Sequence, residues 1–228
     1  MPKIAAPISC LVTVYNCEDY IAEAIESLLA QTLRIAEIII VDDGSTDKSY
    51  DIAKSVGGDH VRLIQQENKG IAGGRNRALQ EITQPFVMFM DADDISVKTR
   101  VELSYSKLMQ DSAVPAVFGK WKNFWIDELS DEEMASQTEI HKGDRATKLT
   151  CNGLYRSDAI RQIGTFDETL DGYSEVEWLS RLDVQFGAAT FLGELTYLRR
   201  IHRHNHSRKR PENALFNMVR KHRQANRA

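Results

Sequence analysis

The chain has 228 residues, of which 42% are hydrophobic and 27% charged, and a net charge of −4. These values fit a globular protein with one sizeable core, and they exclude a disordered chain, a collagen and a small disulfide scaffold. No apolar run approaches the ~18 residues of a membrane-spanning helix. Because the first residues also lack a signal-peptide pattern, the sequence predicts a cytoplasmic protein.

Apolar runs alternate with stretches of helical periodicity through the first 110 residues. Short, nearly all-apolar strands separated by amphipathic helices predict a parallel sheet that is covered on both faces, as in a Rossmann-like fold. The predicted elements are strand 8–15, helix 18–31, strand 37–42, a helix capped by Ser45 or Thr46 that ends near Val56, strand 60–65, helix 70–82 and strand 85–91.

The pattern is less regular after residue 94. A helix at 97–109 and an aromatic strand at 117–125 are predicted, followed by a mainly loop segment at 127–144. No linker composition separates the two halves, so one domain is expected over residues 1–207, with a nucleotide-binding half at 1–110 and an acceptor-side half at 111–207.

The last 30 residues are basic, with ten Lys or Arg and one acidic residue. Apolar residues between the basic groups predict an amphipathic helix in the tail, residues 208–228. Such a helix can lie on an anionic membrane surface, and a homodimer contact or a solvated tail are the alternatives. Nucleic acid binding is not expected, because no recognition motif accompanies the charge.

The three cysteines, Cys10, Cys17 and Cys151, are too few and too widely spaced for a zinc site. Their odd number and their apolar or mixed surroundings predict reduced thiols.

Polar residues follow three of the predicted strands. The segments are 13–16 (TVYN), 42–47 (DDGSTD) and 91–94 (DADD). In open α/β sheets, ligands bind at the carboxyl ends of the strands, so these segments are expected to meet at one site. Neighbouring carboxylates repel one another unless a cation neutralises them, which predicts Mg²⁺ or Mn²⁺ together with a nucleoside diphosphate.

Four motifs in order identify a family resemblance: TVYN at 13–16, VDDGSTD at 41–47, ENKGIAGGRNRAL at 67–79 and DADD at 91–94. The chain resembles the family 2 inverting glycosyltransferases, over residues 7–207. The resemblance implies a GT-A fold, a Rossmann-like α/β/α sandwich with a mixed, mainly parallel central sheet. It also implies a metal-dependent transfer from a sugar nucleotide to a glycan or lipid-linked acceptor, in the synthesis of cell-surface polysaccharide.

The resemblance also assigns roles to residues in these motifs. Of the two neighbouring acids, Asp43 is preferred over Asp42 as the residue that contacts the base. Arg75 is expected to contact the donor diphosphate or sugar, and Asp91 with Asp93 to form the DxD pair that contacts ribose and metal. The residues implied in nucleotide-sugar binding are Thr13, Tyr15, Glu18, Asp42, Asp43, Arg75 and Asp91.

The family usually takes its general base from a Glu-Asp pair before a W-x-x-R-L sequence, which here starts at Trp178. The corresponding pair is Ser174-Glu175, so Glu175 is the predicted base, one methylene longer than the usual Asp, and Glu177 is the alternative. His202 is the candidate third metal ligand from the family's Arg-x-His element. Asp94 is interpreted as a helix-start residue, and the tryptophans as packing residues.

The donor is expected to be a UDP-sugar, and the enzyme is expected on the inner face of the membrane. Two other readings remain open. A Mg²⁺-dependent phosphohydrolase usually has its first acidic site at the end of the first strand, where this chain has Tyr15 and Asn16. A non-catalytic nucleotide-sugar-binding relative is compatible with Ser174 in the place of the usual acid.

Overall fold

Strands and helices alternate along the described part of the chain, which comprises residues 5–126, 143–170, 172–187 and 189–205 of a computed structural model. The strands are β1 (Ala5–Val14), β2 (Arg34–Asp42), β3 (Val61–Gln65), β4 (Phe86–Asp91), β5 (Ile95–Ser96), β6 (Ala116–Trp125), β7 (Gly153–Arg156) and β8 (Thr190–Ile201). The helices are α1 (Ile21–Leu29), α2 (Ser49–Gly57), α3 (Gly70–Leu79), α4 (Arg100–Met109), α5 (Ser157–Ile163) and α6 (Ser174–Phe186).

The strands form one sheet in the order β3-β2-β1-β4-β7-β6-β8-β5. The first four are parallel to one another. β7 runs antiparallel to both β4 and β6, β8 is parallel to β6, and the short β5 is antiparallel to β8. The chain therefore reverses its direction of travel across the sheet between β1 and β4. In open α/β sheets such a reversal opens a crevice at the carboxyl edge.

Each face of the sheet is covered by helices. In β1, Cys10 and Val12 pack with α1, α2 and α4 on one face, while Leu11 packs with α3, α5 and α6 on the other. The spacing of Ile21 and Ile25 places both on the buried side of α1, as the 3.6-residue period requires. Strands with both faces covered are apolar throughout, which explains the continuous hydrophobic runs of the sequence.

The predicted mixed, mainly parallel sheet is confirmed, and the predicted elements of the first half are all present. One capping prediction is wrong. α2 begins at Ser49 without a side-chain cap, because Ser45 and Thr46 instead bond the backbone and side chain of Asn16 in the neighbouring loop. The positions of the antiparallel strands β5 and β7 were not predicted, since both are too short for a periodic signal.

Two predictions fall on residues outside the described ranges. They concern most of the loop at 127–144 and the amphipathic tail at 208–228. None of the described helices is long and apolar enough to cross a bilayer.

Candidate functional site

The carboxyl ends of β1, β2 and β4 bring the three polar segments together at the crevice. β1 pairs with β2 through Val14 and Asp42, and with β4 through Thr13 and Asp91. The amino-terminal half of α3 approaches this edge closely at Gly74, where an added Cβ would lie 3.4 Å from the Thr13 side chain. The next residue of the helix, Arg75, lies in the crevice beside Asp91.

Arg75 joins the two halves of the chain at the centre of the site. Its buried guanidinium donates to Asp91 at 2.9 Å through Nη2, and Nη1 lies 3.7 Å from the Glu175 carboxylate. Burial by itself would lower the pKa of Arg75, but Asp91 and Glu175 outweigh it and raise the pKa above its ordinary value. The guanidinium is therefore a fixed positive charge between two carboxylates.

Asp91 ends β4 and is the more accessible of the acids next to Arg75, with 34% of its side chain exposed. Burial of the carboxyl is the largest influence on its pKa and raises it, Arg75 opposes that shift, and Asp93 adds to it. The net pKa is raised. Solvent at the exposed side moderates this effect, and a cation at that side would favour the ionised form.

Glu175 lies in the first turn of α6, as the sequence predicts. One carboxylate oxygen faces Arg75, and the other accepts a hydrogen bond from the backbone N–H of Thr150. Glu177, the alternative base, has both oxygens engaged by Arg181, at 2.8 and 3.0 Å. The structure therefore places Glu175, and not Glu177, with the other predicted site residues.

Asp93 is held by the segment that follows β8. Its Oδ2 lies 2.9 Å from His202 Nε2 and accepts a hydrogen bond from Asn205 at 3.2 Å. His202 Nδ1 accepts from the backbone N–H of His204, so Nε2 carries the proton and donates to Asp93. The predicted proximity of His202 and Asp93 is therefore present. Binding of an ion through Nε2 would require the proton to move to Nδ1.

Asp94 has a different role from the predicted helix start, since α4 begins six residues later, at Arg100. It is buried and accepts hydrogen bonds from the Tyr197 hydroxyl at 2.6 Å and the Arg200 backbone at 2.7 Å. Burial raises the pKa of Asp94 well above its usual range, and Asp93 and Asp91 add to the effect. Asp94 thus ties β8 to the loop after β4, which holds the neighbouring Asp93 in place.

Asp42 and Asp43 both brace the loops around the crevice. Asp42 is fully buried and accepts from the backbone of Ser45 at 3.0 Å and from Gln65 at 2.9 Å. Asp43 accepts from Gln66 at 2.6 Å and from the backbone of Lys69 at 3.0 Å. The two acids therefore fix the loop after β2 against the turn that leads into α3.

The remaining predicted nucleotide-binding residues lie at the end of β1 and in the loop that follows. Thr13 is half-buried in β1, and Tyr15 is 52% exposed just beyond it. Glu18 accepts from the backbone of Lys48, and its own backbone donates to Asp47, so it connects the loops after β1 and β2.

Sequence reasoning missed the residues that hold the predicted ones. Gln66 bonds Asp43, Asn205 bonds Asp93 and Tyr197 bonds Asp94, each through a side-chain contact to a residue distant in the sequence. Asn205 stands three residues after His202, within the basic last 30 residues of the sequence. The others carry no local pattern by which one sequence could identify them.

The donor atoms of this region suit a hard divalent ion. Asp91 and Asp93 each expose part of a carboxylate, and such oxygens are the ligands that Mg²⁺ and Mn²⁺ prefer. Within the described residues, ligand atoms of Asp91, Asp94 and Cys151 also lie within 4.8 Å of one another. Burial raises the pKa of the Cys151 thiol well above its ordinary value, which disfavours the thiolate form. Because a metal binds the thiolate, Cys151 is a poor metal ligand here.

Comparison with known proteins gives a consistent result. The family model "Glycosyl transferase family 2" matches residues 9–164. The teichoic acid poly(glycerol phosphate) polymerase of Staphylococcus epidermidis is 42% identical over 181 residues, covering 75% of this chain and 25% of that protein. The Escherichia coli UDP-Glc:alpha-D-GlcNAc-diphosphoundecaprenol beta-1,3-glucosyltransferase WfaP is 35% identical over 121 residues, covering 53% of this chain and 47% of that protein. The chain spans less than half the length of the curated relatives it matches.

Solved structures share the fold. Residues 1–349 of Staphylococcus aureus TarS in complex with UDP-GlcNAc superpose with a TM-score of 0.72 at 18% identity, covering 90% of this chain and 61% of that one. The mannosyltransferase PcManGT from Pyrobaculum calidifontis, in complex with GDP-Man and Mn²⁺, has a TM-score of 0.66 at 15% identity, covering 90% and 60%. These likenesses confirm the predicted GT-A architecture.

Proposed function

Because this chain belongs to glycosyl transferase family 2, we propose that it moves a sugar from a nucleoside diphosphate donor to a hydroxyl of an acceptor, with inversion at the anomeric carbon. One observation carries the proposal. Arg75 stands between Asp91, at the end of β4, and Glu175, at the start of α6. A cation for the departing diphosphate and a carboxylate for the attacking hydroxyl are therefore held side by side.

The donor is a UDP-sugar in this proposal. WfaP uses UDP-Glc by its name, and TarS has been solved with UDP-GlcNAc, which supports this choice. The base and ribose are assigned to the ends of β1 and β2, where the exposed Tyr15 ring offers a stacking surface. Thr13, Glu18 and Asp43 are also assigned there. Asp42 was expected to contact the nucleotide, but it is fully buried and bonded through both oxygens, so its role is to hold the loop after β2.

Mn²⁺ or Mg²⁺ is assigned to Asp91 and Asp93, with His202 as the third ligand once its Nε2 has lost its proton. The partly exposed carboxylates fit this ion, and the neighbouring structure of PcManGT contains Mn²⁺. A divalent ion in this place supplies positive charge for the diphosphate oxygens.

The chain's own residues account for the proton and the leaving charge. The acceptor oxygen forms a bond to the anomeric carbon as its proton passes to Glu175, while the bond from that carbon to the diphosphate oxygen breaks. The diphosphate leaves with the electron pair, and the fixed Arg75 guanidinium stabilises the charge that develops on it. The contact from the Thr150 N–H orients the Glu175 carboxylate for this transfer.

The acceptor is a glycan or a lipid-linked saccharide in cell-surface polysaccharide synthesis, on the inner face of the membrane. The name of WfaP supports this class of acceptor. The basic tail would add attraction to an anionic membrane, at about 1 kcal/mol for each basic residue near the surface.

The proposal is tested by incubating the protein with UDP-sugars, Mn²⁺ and lipid-linked or free saccharides, and measuring both UDP release and the glycosylated product. We expect both to appear together and to require the metal. UDP-sugar binding without product from any acceptor would instead support the non-catalytic relative. Release of inorganic phosphate from phosphate esters would support the phosphohydrolase.

A further inference from the structure

Asn76 follows Arg75 on α3, and it uses its whole carboxamide to hold a segment of the second half. Its Nδ2 donates to the Phe166 carbonyl at 2.9 Å and to Glu168 Oε1 at 2.7 Å. Its Oδ1 accepts from the Phe166 backbone N–H at 2.8 Å. Asn76 is buried, so its two bonds to the Phe166 backbone are shielded from competing water. The bonds to Phe166 link positions 90 residues apart in the sequence, and they engage both the backbone N–H and the carbonyl of Phe166.

Phe166 contacts both Arg75 and the helix that carries Glu175. The Arg75 guanidinium stands over its ring, 5.6 Å from the centroid. The same ring stacks on Trp178 of α6, with centroids 4.8 Å apart and planes 17° from parallel. Trp178 follows Glu175 by three residues, which places both on neighbouring positions of one helix. A shift of Phe166 would therefore move Arg75, α6 or both.

We propose that Asn76 is a positioning residue that sets the separation of Arg75 and Glu175, because it fixes the Phe166 ring against Arg75 on one side and against Trp178 of α6 on the other. The residue type suits this role, because a carboxamide donates two hydrogen bonds and accepts others at once. Aspartate has nearly the same shape but cannot donate, and it would place a second carboxylate against Glu168. The catalytic part of the inference rests on the proposed function, whereas the positional part rests on the contacts alone.

The variants are Asn76→Ala and the near-isosteric Asn76→Asp, with Gln80→Ala as the control. Gln80 carries the same carboxamide at the exposed end of α3. At equal folded fraction, verified by circular dichroism, we expect kcat to fall about 10- to 100-fold in both Asn76 variants, since small misplacements of reacting groups cost that much. UDP affinity should fall less than kcat, because the base and ribose contacts are assigned to the ends of β1 and β2, away from Asn76. The control should behave as wild type.

Hydrogen exchange supplies a readout that does not depend on turnover. In Asn76→Asp we expect faster exchange at residues 164–170 and in the first turn of α6, with β1 and β2 unchanged. An exchange increase confined to α3, kcat within about threefold of wild type, or a loss of UDP affinity equal to the loss of kcat would each overturn the positioning role. Absence of transfer by the wild-type protein would count against the proposed function, and the exchange result would still decide the positioning.

Discussion

Glu175 and Arg75 show at the residue scale how one pair of charges can serve both bond breaking and bond making. The Glu175 carboxylate lies 3.7 Å from the Arg75 guanidinium and makes no two-point salt bridge with it, since the closer partner of the guanidinium is Asp91. A base needs such an accessible lone pair. Glu177, two residues away, is instead held by Arg181 in a two-point pair.

Glu175→Gln should lower kcat by about 10² to 10⁴, the usual contribution of a general base. The amide oxygen can still accept from Thr150, so the fold and UDP affinity should be retained. Initial rates at saturating donor and acceptor provide the measurement, and Glu177→Gln is the control, expected to remain close to wild type. Full activity in Glu175→Gln would rule out the assignment of the base.

At the element scale, the join between β6 and β8 carries the segment that reaches Asp93. The two strands pack so closely that a Cβ added to Gly119 would lie 1.9 Å from the buried Thr196 hydroxyl. A Cβ added to Gly193 on β8 would have no heavy atom of another described residue within 4 Å. His202 and Asn205 follow β8 directly. The register of β8 against β6 therefore determines where these two side chains meet Asp93.

Gly119→Ala should therefore reduce the free energy of unfolding by about 1–3 kcal/mol, the usual cost of overpacking a buried contact. Gly193→Ala, the same substitution in open space, should leave it unchanged or slightly raised. Denaturant midpoints compared at equal slope measure the difference. Equal midpoints for the two variants would contradict this prediction, because β6 and β8 would then accommodate the added methyl group without loss of stability.

The sequence predicts the parallel strands and the loops of the site, but not the short antiparallel strands or the long-range side-chain contacts. Strands buried on both faces leave continuous apolar runs, and loops at strand ends leave Asp, Gly and Ser, so the parallel half and the site edge could be read directly. The antiparallel strands β5 and β7 are short and take their positions from their neighbours. Tyr197, Asn205 and Asn76 act through contacts to residues far away in sequence, and no periodicity records such contacts.

At the scale of the whole molecule, burial controls the chemistry of the three thiols. All three cysteines are free, as predicted. Burial raises the pKa of Cys10 to about 12. Burial likewise raises the pKa of Cys17, with Asp93 and Asp47 adding to the effect, and that of Cys151. Thiols held protonated in this way react slowly, because the thiolate is the nucleophile.

Labelling with a thiol reagent at pH 8 should consequently be slow for the folded protein and reach three equivalents after unfolding in guanidinium. The ratio of the two rates reports opening of the whole fold. Rapid modification of one cysteine in the folded protein, located by mass spectrometry, would show that its surroundings open locally.

The central claim is that the crevice between β1 and β4 binds a nucleoside diphosphate through a metal ion held by Asp91 and Asp93. Calorimetric titration of UDP, GDP and ADP, each with Mn²⁺ and with EDTA, examines it, with Asp93→Ala measured in parallel. We expect UDP to bind tightly only with Mn²⁺ and to lose that binding in the variant, whose circular dichroism should match wild type. Absence of binding by all three nucleotides, or UDP binding that neither EDTA nor Asp93→Ala weakens, would contradict the claim.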